Sequence, residues 1–594
     1  MDTSNHLTAD PASDPAPLSG PEALKLASEH LRGTIRAELG DADLAAFSNE
    51  SGTLLKFHGI YQQDDRDIRR ERTQAKEALE YSCMVRCSVP GGRLRPEQWF
   101  EIDRLADEIS DGRLRLTSRQ GVQYHFVNKG DLHSLVNQLN CGLVTTYAAC
   151  GDVVRNVMVT SAPYEGRNLE RLDSLARALA GRFRPQSEAY WELWLDGERA
   201  LSSGPAPTLD LTGTNPGVEP IYGDRYLPRK FKIGVAEPGD NSIDVYSQDC
   251  GIVPIDSPDG EPGAVFIVGG GLGRSHSDDS TFPRLGDPMA WVAEDDIPDV
   301  AEAIVTLFRD FGNREDRSHA RLKYVVEEKG IAWVREEVER RIGKPLADPL
   351  PLPAWGGSRD YLGWHRQTDD TWFIGLPVPS GRLDDQPGRT RKTAVRAVLE
   401  NFANEIRITP QDDVLLCGIS DHDKPAVEAL LDAHGVPRAD QLSLSVISSM
   451  ACPALPTCGQ ALGEAERVLP ELTDLLDSYL GDRGLGDVRI ETRMTGCANG
   501  CARPYVAELG VIARTKTAYD VWLGGNASGT RLAKPVIEGV PFRKLGDVLG
   551  PLLDRYKSGR LEGEGFGDWA NRLGVAALSE GLPTFARPGQ KAGA

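Results

Sequence analysis

Trp99-Phe-Glu-Ile-Asp-Arg-Leu-Ala-Asp-Glu-Ile109, followed by Gly112-Arg-Leu-Arg-Leu-Thr-Ser-Arg-Gln120 and Val122-Gln-Tyr-His-Phe126, returns in altered form later in the chain. The second version reads Ala397-Val-Leu-Glu-Asn-Phe-Ala-Asn-Glu405 and then Ile406-Arg-Ile-Thr-Pro-Gln-Asp-Asp-Val-Leu-Leu-Cys417. Each begins with apolar residues at helical spacing, switches to a period of two, turns, and resumes the period of two. This pattern predicts a helix, a short strand, a turn and a second strand, twice over, and hence an internally duplicated α+β chain.

The elements downstream extend the repeat. Arg155-Asn-Val-Met158 precedes a predicted helix over 172–179, and Cys452-Pro-Ala-Leu-Pro-Thr-Cys458 precedes one over 463–476. Pro228-Arg-Lys-Phe-Lys232 corresponds in order to the stretch from Met494 to Pro504. Val265-Phe-Ile-Val-Gly-Gly-Gly271 parallels Val521-Trp-Leu-Gly-Gly-Asn526, with helices predicted after each over 300–311 and 542–556. If the copies are related by a pseudo-twofold axis, the second places four cysteines opposite Arg155, Lys230 and Lys232 of the first.

Those cysteines are two close pairs, Cys452 and Cys458, then Cys497-Ala-Asn-Gly-Cys501 after 38 intervening residues. Soft thiolates in fours select zinc, copper(I) or an iron–sulfur cluster. Structural zinc sites favour two to four residues between paired ligands. Five residues separate the first pair here, which suits the widely spaced corners of a [4Fe–4S] cube better than one ion; a zinc-stabilised structural protein is the alternative. The remaining cysteines, Cys83, Cys87, Cys141, Cys150, Cys250 and Cys417, read as small buried hydrophobes.

The opposite wall is cationic. Arg86, Arg115, Arg119, Arg155, Arg229, Lys230 and Lys232 fall in the first copy, and Lys230 and Lys232 share a face if their segment is extended. Such a pair is either a solvated basic strand or, if buried, calls for an anion. The run Gly269-Gly-Gly-Leu-Gly273 does not complete a dinucleotide fingerprint, because no helix opens after it and no acid follows at the right distance.

Composition sets the surroundings. A length of 594 residues suggests about four domains at roughly 150 residues each. Boundaries fall at 1–50 (a disordered tail over 1–20 and a lead-in helix), 51–150, 151–345, 346–445 and 446–594. Ten cysteines in so long a chain do not form a disulfide scaffold. No apolar leader follows Met1 and no run of about 18 apolar residues occurs, so the expectation is a cytoplasmic protein with no membrane partner. A net charge of −21 argues against nucleic acid.

Taken together these segments resemble the sirohaem- and [4Fe–4S]-containing sulfite and nitrite reductases, over about residues 50–575. The resemblance rests on Thr495-Gly-Cys-Ala-Asn-Gly-Cys-Ala-Arg-Pro504, Leu227-Pro-Arg-Lys-Phe-Lys232, Arg115-Leu-Thr-Ser-Arg-Gln120 and Gly151-Asp-Val-Val-Arg-Asn-Val157. It implies two ferredoxin-like half-domains and two related α/β sirohaem-binding domains about a pseudo-twofold axis. It implies that Cys452, Cys458, Cys497 and Cys501 hold the cluster and that Cys501 also bridges to the sirohaem iron. Arg86, Arg155, Lys230 and Lys232 match residues around the substrate anion. Arg115, Thr117, Arg119, Gln123, Arg229, Arg321 and Asn499 match those around the macrocycle, with His125 either structural or near a haem carboxylate. Ala498 and Gly459 stand where the family commonly has proline, and Arg321 where better-known members have lysine.

The implied reaction is assimilatory reduction of sulfite to sulfide; reduction of nitrite to ammonia is the alternative. Nitrite-selective relatives tend to carry a neutral amide at the position of Lys232, so a doubly cationic pocket favours the dianion. No flavin- or pyridine-nucleotide-binding domain is visible, so electrons must come from another protein. The stretch Ala502–Gly510 with Trp522-Leu-Gly-Gly-Asn526 looks more similar to ferredoxin-dependent members than to those paired with an NADPH flavoprotein. Arg389, Arg391, Lys392 and Arg396 form the candidate basic patch for an acidic donor.

Overall fold

The computed structural model describes residues 18–167, 169–186, 192–195, 198–202, 219–356 and 361–585. Residues 1–17, most of the predicted tail, lie outside that range. Four five-stranded sheets, in two matched pairs, organise the chain.

The first pair builds the half-domains. One sheet runs in the order Ile60–Asp64, Tyr81–Cys87, Val122–Val127, Leu114–Leu116 and Arg382–Leu383; the other runs Gly363–Arg366, Trp372–Leu376, Val414–Ile419, Glu405–Ile408 and Arg93–Leu94. Each sheet thus takes its fifth strand from the other copy, with Arg382 opposite Arg115 and Arg93 opposite Arg407. The helix Pro96–Ile109 buries Trp99, Ile102, Leu105 and Ala106, a stripe at helical spacing, with proline in its first turn where the missing N–H costs nothing. Its counterpart Arg391–Asn401 buries Ala394, Val395, Val398 and Leu399. Both stripes enter one continuous core shared by the two sheets.

The exchange of strands places arginines beside arginines, and acids bridge each pair: Glu466 joins Arg115 to Arg382, while Asp173 and Glu405 both join Arg93 to Arg407. Glu466 accepts from Arg115 and Arg382, the latter at 2.8 Å. Asp173 accepts from Arg407 at 2.8 Å and from Arg93 at 3.3 Å. Removing a partner from such a buried pair strands a charge, so these contacts fix how the halves sit together.

The second pair of sheets also matches strand for strand. One runs Asp287–Ala293, Gly263–Val268, Cys250–Pro254, Ile233–Val235 and Met158–Val159. The other runs Lys534–Pro541, Ala518–Leu523, Leu509–Ala513, Thr492–Thr495 and Ser449–Ala451. In each the last three strands are parallel and the first three antiparallel. Separate apolar cores back them.

Two expectations about these domains need correction. The helix predicted over 463–476 is Leu469–Asp482, because the residues before it are held in turns: Leu462 and Gly463 donate to the Gly496 carbonyl and Glu466 to that of Cys452. Lys230 and Lys232 are not on a strand. The strand begins at Ile233, after Phe231 bridges to Val154. Since Ile233–Val235 matches Thr492–Thr495, the lysines precede their strand whereas Cys497–Cys501 follow theirs. The positional counterpart of the second cysteine loop is therefore the stretch around Asp240–Asp244. Among the described residues no helix is long and apolar enough to cross a membrane.

Candidate active site between a cationic wall and a cysteine wall

The cationic wall starts on the first half-domain sheet. Arg86, Gln123 and Arg115 are cross-strand neighbours on three adjacent strands. Alternation then sends Val122 and Tyr124 into the core and Gln123 and His125 to the other face. The Gln123 amide, with its oxygen toward Arg86, accepts from Nε at 2.7 Å. Arg86 also donates to the Cys150 sulfur at 2.9 Å, and Tyr61 is hydrogen-bonded to Cys150 and Arg155. Tyr61 and Cys150 thus belong to this pocket; a lone cysteine and a lone tyrosine gave no sequence signal for that. Arg155 is tethered through Nε to the Gly151 carbonyl at 3.0 Å.

The turn after Leu116 brings in Arg119, which donates to Gln248 and to the Ile233 carbonyl, each at 2.8 Å, while Thr117 closes the turn by accepting from the Gly121 N–H at 3.0 Å. The lysines arrive on the segment before Ile233. Burial, then Arg229 and Lys232, hold Lys230 well below the usual ammonium range. Burial, Arg119 and Arg321 bring Lys232 to about 7. Burial and Arg317 lower Arg229 to about 10. Asp249, fully buried and unmarked in the sequence, is the wall's counter-charge. It accepts from the Lys232 backbone N–H at 2.8 Å and from Arg321 Nη2 at 2.8 Å.

The structure therefore gives several predicted macrocycle residues protein partners of their own. Arg321 is paired with Asp249, and Arg115 is paired with Glu466 and donates to the Ala451 carbonyl at 3.0 Å. His125 stands apart: it is buried, both ring nitrogens lack a partner, and burial plus Arg382, Arg115 and Arg86 keep it neutral. Nε of Arg119 is likewise buried without a partner.

The cysteine wall comes from two loops that touch. Gly496 admits the contact: a Cβ there would lie 2.5 Å from that of Ala454. Its N–H donates to the Cys452 sulfur at 3.3 Å. Arg66 steadies the first loop by donating to the Cys458 carbonyl at 3.1 Å, and Asn499 hydrogen-bonds Cys497. Burial and the Cys501 charge raise the Cys452 and Cys458 thiols, and raise Cys497 to about 12. Thiols so opposed to ionisation need a cationic centre to become ligands, while the facing lysines and arginines need anions. The walls meet, since Cys501 is near enough to Lys232 to favour its charged form. Iron behind the sulfurs and an anionic macrocycle with its substrate before the cations would answer both demands, so the donor sets fit the implied groups.

Outside the site, Cys83, Cys87, Cys250 and Cys417 are buried as expected, but Cys141 is exposed at the end of its helix. The candidate basic patch is not one. Arg391 and Lys392 are buried, and Lys392 and Arg396 are both paired with Asp103 and Asp107.

A duplicated α+β fold enclosing a four-cysteine wall and a facing wall of lysine and arginine defines a redox enzyme acting on a small oxyanion. The chain belongs to the nitrite and sulfite reductase family. The nitrite/sulfite reductase ferredoxin-like half domain matches residues 75–140 and 365–434, and the nitrite and sulphite reductase 4Fe-4S domain matches 184–346. That second match is the first-copy domain; the cysteines lie in its counterpart. The chain is 42% identical over 578 residues to a sulfite reductase [ferredoxin] of Synechococcus elongatus, covering 96% of this chain and 92% of the relative. It is 39% identical to a sulfite reductase [NADPH] hemoprotein beta-component of Paenibacillus, covering 95% and 98%. The solved structure of Mycobacterium tuberculosis NirA shares the fold, with a TM-score of 0.75 at 24% identity over 95% of this chain and 98% of that one.

Proposed function

We propose that this protein is an assimilatory sulfite reductase that converts sulfite to sulfide with six electrons. The observation carrying this reading is the pair Lys230 and Lys232, half-buried among arginines, with Lys232 near Cys501. Two adjacent depressed ammonium groups match a dianion better than a monoanion, which favours sulfite over nitrite. The sulfite reductase names of the relatives support the same choice.

Cys452, Cys458, Cys497 and Cys501 would hold a [4Fe–4S] cluster, and Arg119, Thr117, Gln123, Arg229, Asn499 and His125 would line a sirohaem, with Arg115 and Arg321 steadying the walls behind it. When bound, these groups supply the metal at which sulfur is reduced and the path for single electrons. The chain's own residues do the rest. Arg86 and Arg155 orient the anion, and both are pre-set, Arg86 by Gln123 and Cys150 and Arg155 by Gly151 and Tyr61. Lys230 and Lys232 neutralise its charge and stand ready to give protons to departing oxygens; both are depressed by desolvation and neighbouring cations, Lys232 to about 7, where an ammonium is both a donor and easily recharged. Three oxygens leave as water. Asp249 keeps the lysine segment in place through the Lys232 N–H.

Ferredoxin is the proposed donor, supported by the first-named relative and by the ferredoxin-type sequence after Cys501. All ten cysteines are unpaired, which suits the reducing cytoplasm. Steady-state assays with reduced ferredoxin or an NADPH flavoprotein, each against sulfite and nitrite, test the reading. The expected result is kcat/KM highest for ferredoxin with sulfite. A higher value for nitrite would reassign the substrate, and turnover only with the flavoprotein would reassign the donor.

A further inference from the structure

Arg503 lies two residues beyond Cys501 and has a left-handed backbone, with φ at +58°. Residues other than glycine avoid that region unless their surroundings dictate it. Here the dictating contacts come from every part of the fold. The guanidinium donates through Nη1 to the Ser118 carbonyl at 3.1 Å, in the first half-domain turn, and through Nη2 to the Pro410 carbonyl at 3.0 Å, in the matching turn of the second. Nε donates to Asp244 of the first-copy domain, which also accepts from Arg493 at 2.6 Å. Asp244 is the structural counterpart of Arg503. Each stands six residues before its strand (244 to 250, 503 to 509), and each precedes a short 3-10 turn; φ at Asp244 is +50°. Two equivalent positions have become an acid and a base that pair across the pseudo-twofold axis. Ser118, whose carbonyl Arg503 holds, returns its hydroxyl to the Cys501 carbonyl at 3.1 Å.

We infer that Arg503, clamped by Asp244, Ser118 and Pro410, is a positioning residue that fixes the Cys501 sulfur between the two walls. The inference rests on the reading of Cys501 as the bridging thiolate. It goes further by assigning the rigidity of that bridge to a four-way junction. None of Arg86, Arg155, Lys230 and Lys232 belongs to the junction, so its loss should slow electron delivery without weakening substrate binding.

The test uses the holoenzyme with Arg503→Met, Arg503→Lys and Ser118→Ala, and Cys501→Ser as reference. Iron and sirohaem content, Mössbauer and EPR signatures of haem–cluster coupling, and kcat and KM for sulfite are measured. For Arg503→Met we expect diminished coupling and kcat down at least about tenfold, with KM within about twofold. Arg503→Lys, which keeps charge but not the fork, should recover part of both, and Ser118→Ala should lower kcat by about threefold. If Arg503→Met fails to assemble, Arg503→Lys and Ser118→Ala decide. Wild-type coupling and kcat in Arg503→Met, or in both of the other two, overturn the inference. If Cys501→Ser itself keeps wild-type coupling, the bridging assignment fails instead.

Discussion

The two large α/β domains have the same five strands in the same order and sense, yet one presents lysine and arginine and the other four cysteines. What differs is where the chemistry hangs on the frame. In the first copy the proposed anion-binding lysines precede the strand Ile233–Val235; in the second the proposed cysteine ligands follow Thr492–Thr495 and Ser449–Ala451. Sheet and core are set by packing, which tolerates few changes, whereas connecting loops can diverge without disturbing it. Duplication therefore supplies two walls, and loop divergence gives them opposite electrostatic needs. The half-domains show the reverse. There the copies stay alike in outline, because each exchanged strand brings a second arginine that must meet an acid, Glu466 in one sheet and Asp173 with Glu405 in the other.

The asymmetry between the walls is broken most severely at Cys501. Cys501→Ser should abolish the coupled centre and reduce sulfite turnover by about 10³-fold or more, read by sulfide formation beside cofactor content. Lys230→Met attacks the opposite wall. Cofactors should remain bound at wild-type content while kcat falls by about 10²-fold, and wild-type turnover would remove Lys230 from the mechanism.

The symmetry of the half-domains can be broken as well. Glu466→Gln should destabilise the protein by about 3 kcal/mol, measured by chemical denaturation, because it strands Arg115 and Arg382, whereas Asp173→Asn should cost about 1 kcal/mol, because Glu405 still accepts from both Arg93 and Arg407. Equal losses at the two sites would show that Glu405 does not share the charge of Arg93 and Arg407.

A smaller effect than that of Glu466→Gln comes from a pair of equivalent turns. Gln120 and Asp412 both have positive φ, and the two N–H donors of the Gln120 amide lie among four acceptors, the nearest the Val159 carbonyl at 2.9 Å. Asp412 is buried with one carboxylate oxygen unpartnered, and burial raises its pKa to about 7. A carboxyl raised on folding favours the folded state at low pH. Its contribution falls as pH rises from about 4 through about 7 and is gone above that. Asp412→Asn should therefore flatten that part of the stability–pH profile and add about 1–3 kcal/mol at pH 8.

Much of this was legible in the chain. The helical stripe Trp99, Ile102, Leu105 and Ala106 and the alternation over 122–126 carry the half-domain, and Cys452 to Cys458 with Cys497 to Cys501 carry the proposed site. Strand exchange was not legible, since Arg93–Leu94 and Arg382–Leu383 are two-residue strands whose partners lie some 300 residues away. Nor were Asp249 and Asp244, single acids whose importance depends on which cations surround them after folding. The proposed basic patch misled for the same reason: Arg391, Lys392 and Arg396 cluster in sequence, but Asp103 and Asp107 come to meet them from the other copy.

The most direct test of the central claim is the visible spectrum of the purified protein together with its electron balance under reduced ferredoxin. The account predicts a Soret band with a further band toward the red, and one sulfide formed for every six electrons consumed. A colourless protein holding only zinc, or a haem protein that yields no sulfide from sulfite, would contradict it.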